Sequence, residues 1–202
     1  MEKLSALTRS TLILCLLLCL FLTGCSPHSK SFDVAFCAPY LDANLVDDTG
    51  SALTEALPSL QAASPVFSYV LAGDIPDDLM AGTLGQTKLT GMLMAQEADV
   101  IIATPEVARV QAVNELFMPL DQLFTPEELS DLAERTLKYE FVDVIEGREV
   151  PTGQHTEVCG INITGHELLT PLLGDQTLGV YVAANTDSPE QAKALIRYLV
   201  GY

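Results

Sequence analysis

Residues 88–123, KLTGMLMAQEADVIIATPEVARVQAVNELFMPLDQL, restrict the possible folds more than any other stretch, because hydrophobic periodicity changes three times within them. Leu89, Met92 and Leu93 fall at helical spacing and predict a helix over 88–98. Val100, Ile101, Ile102 and Ala103 then form a short run without a polar face, the pattern of a strand covered on both sides. Thr104, Pro105 and Glu106 supply a capping hydroxyl, a ring already set at the helical φ and an acid in the first turn, predicting a second helix to about Asn114. Helix, buried strand and helix imply α/β layering, here a three-layer sandwich around a mainly parallel sheet.

The rest of the chain supplies further elements of the same kind. Residues 33–38, DVAFCA, read as a first strand inside the sheet, and residues 66–71 as a second. Asp47, Asp48 and Thr49 lead into a helix through Leu53 and Leu57 that Pro58 limits. Residues 72–87, AGDIPDDLMAGTLGQT, with three glycines and three aspartates, read as a functional loop, the alternative being a short helix around 77–80. Thr125, Pro126, Glu127 and Glu128 make a capping box that opens a helix to about Leu137, and Ser188, Pro189, Glu190 and Gln191 repeat the device. In that last helix Ala192, Leu195, Ile196 and Leu199 form a docking stripe. Residues 139–150 read as a strand pair turning at Glu146 and Gly147, and residues 157–163 as another strand.

Lys3 and Arg9 precede an apolar run from Leu12 to Leu22 that ends in Leu22-Thr23-Gly24-Cys25. The run is shorter than the roughly 20 apolar residues needed to span a bilayer, so residues 1–24 read as a processed lipoprotein signal and Cys25 as the lipidated mature N-terminus. Residues 25–32 then form a short tether, with His28 solvated, and residues 33–202 a single domain. Loss of Lys3, Arg9 and Glu2 leaves 8 basic and 26 acidic residues, a net charge of −18. Such a surface excludes nucleic acid and anionic headgroups as partners, so the cell membrane is reached through the acyl chains, on its extracytoplasmic face. After processing, Cys37 and Cys159 remain, either as a disulfide closing a long loop or as two buried thiols.

His155, Glu157 and Cys159 alternate, so a strand would turn all three to one face, with His166 as a fourth metal-type residue. The bland reading, no metal and His166 in an exposed turn, is preferred. Asp74, Asp77 and Asp78 lack the ligand spacing of a calcium loop and read as a solvated turn. No nucleophile elbow, phosphate-binding glycine loop or His-Glu-x-x-His occurs, so the expectation is a protein without cofactors that is not an enzyme.

"KLTGMLMAQEADVIIATPEVARV" followed by "LFMPLDQLF" resembles the first lobe of extracellular solute-binding proteins of the type II periplasmic-binding fold, with their aspartate-plus-apolar strand and Pro-Leu-Asp. "LGVYVAANTDSPEQAKALIRYLV" resembles the return strand, Asn-containing turn and closing helix of that family, placing a further strand at Leu178. Between these matches the family inserts a second lobe, whereas residues 124–176 are too few for one, so the chain resembles a one-lobed relative. The resemblance implies strand order 2-1-3 and a small solute carried for a transporter permease, with a partner or homodimer supplying the missing wall. The alternative is a tethered protein-interaction domain that has lost solute binding. In doubly wound sheets ligands gather where strand order reverses, which selects Tyr40, Asp74 and Thr104 as the expected ligand-binding residues.

Overall fold

The computed structural model describes residues 31–201 apart from Asp77; the signal segment, Cys25 and His28 lie outside the described residues. Along β1 (Asp33–Ala38), Val34, Phe36 and Ala38 enter one core and Ala35 and Cys37 another, and all five are fully buried. A strand with two apolar faces requires cover on both. The chain continues through α1 (Val46–Ala56), α2 (Pro58–Ala62), β2 (Val66–Leu71), α3 (Leu79–Met94), β3 (Val100–Ala103) and α4 (Pro105–Val113). It then forms α5 (Pro126–Asp131), β4 (Thr136–Leu137), β5 (Glu140–Ile145), β6 (Arg148–His155), β7 (Gly160–Asn162), α6 (Thr170–Leu173), β8 (Gly179–Val182) and α7 (Pro189–Val200).

Six strands form one sheet in the order β2-β1-β3-β8-β7-β4, so the expected 2-1-3 order is present. The sheet is mixed: β1 pairs in parallel with β2 and β3, whereas the β3–β8, β8–β7 and β7–β4 pairs are antiparallel. The connection from β7 to β8 starts and ends beside the Asn162–Gly179 pair, at one end of the sheet, so β8 runs back along β7. Val46, Leu53 and Leu60 from α1 and α2 share one core with the α7 stripe, whose Ala192, Leu195, Ile196 and Leu199 are all buried. Leu89 and Leu93 of α3 and Val107, Ala108 and Ala112 of α4 fill the opposite core.

The segment read as a loop is mostly helix. α3 begins at Leu79, where the Asp78 carboxylate accepts a hydrogen bond from the Ala81 amide at 2.9 Å, and it ends at Met94 rather than Ala98. Its glycines mark close approach and not a turn. A Cβ on Gly82 would lie 2.0 Å from the Gly73 carbonyl oxygen, and one on Gly85 only 1.8 Å from that of Leu71. Gln111, fully buried on α4, then accepts from the Thr90 hydroxyl and donates to Gln86, both at 3.0 Å, which locks α4 against α3.

Other local expectations change in similar ways. Thr104 precedes α4 in the capping position, but its hydroxyl makes no capping bond; it is buried without a hydrogen-bond partner. The Thr125 capping box forms, yet α5 stops at Asp131 and the chain enters β4 at Thr136. Ser188 makes no side-chain cap, and its own amide donates to Thr186 Oγ1 at 3.0 Å.

Glu128 ties α5 to α7, accepting from the Thr125 amide and pairing with Arg197 and Lys193. The backbone bond, followed by the two cations, holds its carboxyl at about 2 against an ordinary 4.5. A depressed folded-state value contributes stability that is complete above about pH 4.5 and lost as pH falls toward 2. Urea unfolding between pH 2 and 6 is therefore expected to show a shallower acid limb for Glu128→Gln than for the wild type.

Candidate cleft beneath the hairpin

β5 and β6 form a separate two-stranded hairpin, as expected, turning at Glu146 and Gly147 with φ of 52° and 76°. Positive φ at both turn positions matches the right-handed twist of the flanking strands. The hairpin springs from the β4–β7 edge: the Thr156 amide donates to the Tyr139 carbonyl at 2.8 Å, and the Tyr139 amide to Thr156 Oγ1 at 3.0 Å. Arg109 of α4 pairs with Glu149 of β6 at 2.9 Å, an exposed bridge that steers the hairpin toward that helix.

Aromatic packing supports its base. Tyr181 on β8 is fully buried, stacks on Phe117 at 4.8 Å and shares a hydroxyl hydrogen bond with Tyr139. Its side chain occupies space that side chains at Gly160 and Gly179 would fill, since Cβ atoms there would fall 2.3 Å from its ring and 2.2 Å from its hydroxyl. Burial pushes the Tyr139 phenol up to about 12 and Tyr181 higher still, so both remain neutral at physiological pH.

Between this base and the end of α4 opens a cleft of about 460 Å³. Ala112, Phe117, Cys159 and Ala184 belong to its apolar lining, Met118, Pro119 and Phe141 add further contact surface, and Glu115, Gln122, His155, Thr156 and Glu157 add polar groups. The trio His155, Glu157 and Cys159 is thus brought to one cleft, although β6 ends at His155 and residues 156–159 are not strand. Among the described residues no group of three His, Cys, Asp or Glu is placed to hold a metal. Cys37 and Cys159 are both free and buried, so the disulfide alternative is not realised; burial raises their thiols to about 12 and about 11. Protonated thiols of this kind are poor nucleophiles.

Glu115 had no prior signal as a site residue. It follows α4 with φ of 57°, its amide donating to Ala112 and the next amide, of Leu116, to Gln111. That is the helix-ending position where glycine is favoured, yet here it is held by a glutamate that lines the cleft. Phe117, Met118 and Phe141 were equally unmarked, because an apolar run reads the same whether it faces a core or a cleft.

The expected trio at the strand ends is differently disposed. Tyr40 is 66% exposed and Asp74 is exposed, whereas Thr104 is 4% exposed. Gly73, beside Asp74, packs close to Val107 and Pro39. Asp77 lies outside the described residues. His166 is half-buried rather than in an open turn, its ring 5.6 Å from Tyr198 and its Nδ1 buried without a hydrogen-bond partner. It lines a second cleft of about 470 Å³ with Arg135 and Tyr198, where turn backbone and a helix end supply much of the wall.

Asp99 and Asn185 both have structural work. Asp99 accepts from the Asp33 amide at 2.9 Å and the Thr186 hydroxyl at 2.5 Å, joining β1, β3 and the turn after β8. Asn185 donates to Leu93 at 2.9 Å and so satisfies a carbonyl at the end of α3. Compared with known proteins, the chain matches no family model, no curated protein and no solved structure.

Proposed function

We propose that this chain is a lipoprotein anchored through Cys25 on the extracytoplasmic face of the membrane, whose domain, resembling one lobe of a type II periplasmic binding protein, binds a small solute beneath the hairpin. The cleft carries this reading. Its volume, about 460 Å³, suits a small ligand, and its lining combines Phe117, Met118 and Phe141 with the acidic residues Glu115 and Glu157. Apolar surface with acidic groups favours a molecule with an apolar body and a cationic or hydrogen-bond-donating head. The reading is of binding, with delivery to a transporter permease.

Anchoring is tested by Cys25→Ala. The variant is expected to leave the membrane fraction as an unprocessed or freely released chain, and mass spectrometry of the wild type to find acyl chains on Cys25. Unchanged membrane partition of the variant would contradict anchoring while leaving the cleft reading to its own test.

A further inference from the structure

The two edges of the sheet are treated differently. β4, at one end, is two residues long and offers little to pair with. β2, at the other, has six residues, VFSYVL, without a charge, a proline or a bulge. Natural sheets ordinarily blunt such an edge with one of those devices or cover it. Among the described strands β2 pairs with β1 alone.

The amides of Val66 and Ala72 donate inward to Phe32 and Ala38. With a strand's two-residue period, the backbone groups of Phe67, Tyr69 and Leu71 point away from β1. Gly85 packs against the Leu71 carbonyl, so the outward groups of Phe67 and Tyr69, with the Leu71 amide, form the pairable stretch.

A trough of about 890 Å³ runs along this edge between the Val46 end of α1 and Leu84 and Lys88 of α3, continuing at Asp47 and Phe67 into another of about 610 Å³. Val66, Tyr69 and Leu71 are 42–48% exposed and Leu84 is 62% exposed, so a pairing strand would find apolar surface on both faces.

We infer that the β2 edge docks an extended, positively charged segment of a partner protein, which adds a strand to the sheet. Charge selects this occupant over a second copy. The chain has a formal net charge of −17, and Asp47 and Glu55 line the troughs against a single Lys88. Two copies meeting edge to edge would bring like charge together, whereas cationic side chains flanking an apolar strand would meet Asp47 and Glu55. The same repulsion disfavours self-association through this uncharged edge. This docking surface is separate from the hairpin cleft and does not depend on solute binding.

The test uses the full chain in detergent and two fluorescein-labelled peptides, one alternating Val with Lys and the other Val with Glu. Fluorescence anisotropy is expected to show saturable binding of the lysine peptide, at least tenfold tighter than the glutamate peptide. Amide exchange at Phe67, Tyr69 and Leu71 should slow in the complex. Tyr69→Pro removes one outward donor and Tyr69→Lys places a repelling charge on the edge; each is expected to weaken binding at least tenfold. Tyr69 is 42% exposed, so the lysine variant should retain the wild-type unfolding curve. Absence of saturable binding, equal affinity for the two peptides, or unchanged binding by folded Tyr69→Lys would overturn the inference. So would a wild-type dimer that Tyr69→Lys dissolves, which would assign the edge to a second copy.

Discussion

Replacing Gly85 by valine is expected to destabilise the protein by about 3 kcal/mol or more, enough to threaten folding of the whole domain. The Cβ alone would stand 1.8 Å from the Leu71 carbonyl oxygen and 2.7 Å from its carbon. Both are backbone atoms of a strand paired in register with β1, so relief requires moving either α3 or the sheet. Gly82 faces the same constraint from the Gly73 carbonyl. Gly91, in the same helix, has nothing within 4 Å of the place a methyl group would take. Gly91→Ala should therefore stabilise by about 0.5–1 kcal/mol through helix propensity. Urea unfolding of the two variants separates the explanations: if both glycines merely lowered helix propensity, both substitutions would stabilise.

Tyr181→Ala is expected to cost about 3–5 kcal/mol, the range for deleting a large aromatic ring from a packed interior. The loss has two separable parts. Tyr181→Phe keeps the stack on Phe117 but leaves the Tyr139 hydroxyl without its partner, at about 1–3 kcal/mol. Alanine additionally opens the space over Gly160 and Gly179 and withdraws support from Phe117, part of the cleft lining. Denaturant unfolding should therefore rank wild type, Phe and Ala in decreasing stability, and equal values for Phe and Ala would show that ring packing contributes little.

Strongly periodic or fully apolar segments were legible in the sequence. β1 and β2 have the expected bounds, Val100–Ala103 is the buried central strand, and the α7 stripe faces the core. Position-specific signals were less secure. Glycines at 82 and 85 suggested a loop because glycine lowers helix propensity, but their role is to let a helix touch backbone, a fact held by the partner strand. Thr104 and Ser188 have capping chemistry in sequence, yet local geometry leaves their hydroxyls out of the cap. For the site, the alternation of His155, Glu157 and Cys159 grouped three residues that line one cleft, although through an irregular segment and not a strand. Glu115, Phe117 and Phe141 come from separate elements and meet through tertiary packing, which spacing along one segment does not reveal.

Solute binding is tested most directly by thermal unfolding and calorimetric titration with small amines, amino acids, sugars and short peptides, using wild type, Phe141→Ala and Glu157→Gln. Phe141 and the acidic Glu157 both line the cleft, and neither is fully buried, so both variants should fold. The account predicts a saturable rise in Tm with at least one cationic or hydrogen-bond-donating solute, and an affinity at least tenfold weaker in each variant. No shift with any solute, or a shift of wild-type size in both variants, would contradict it.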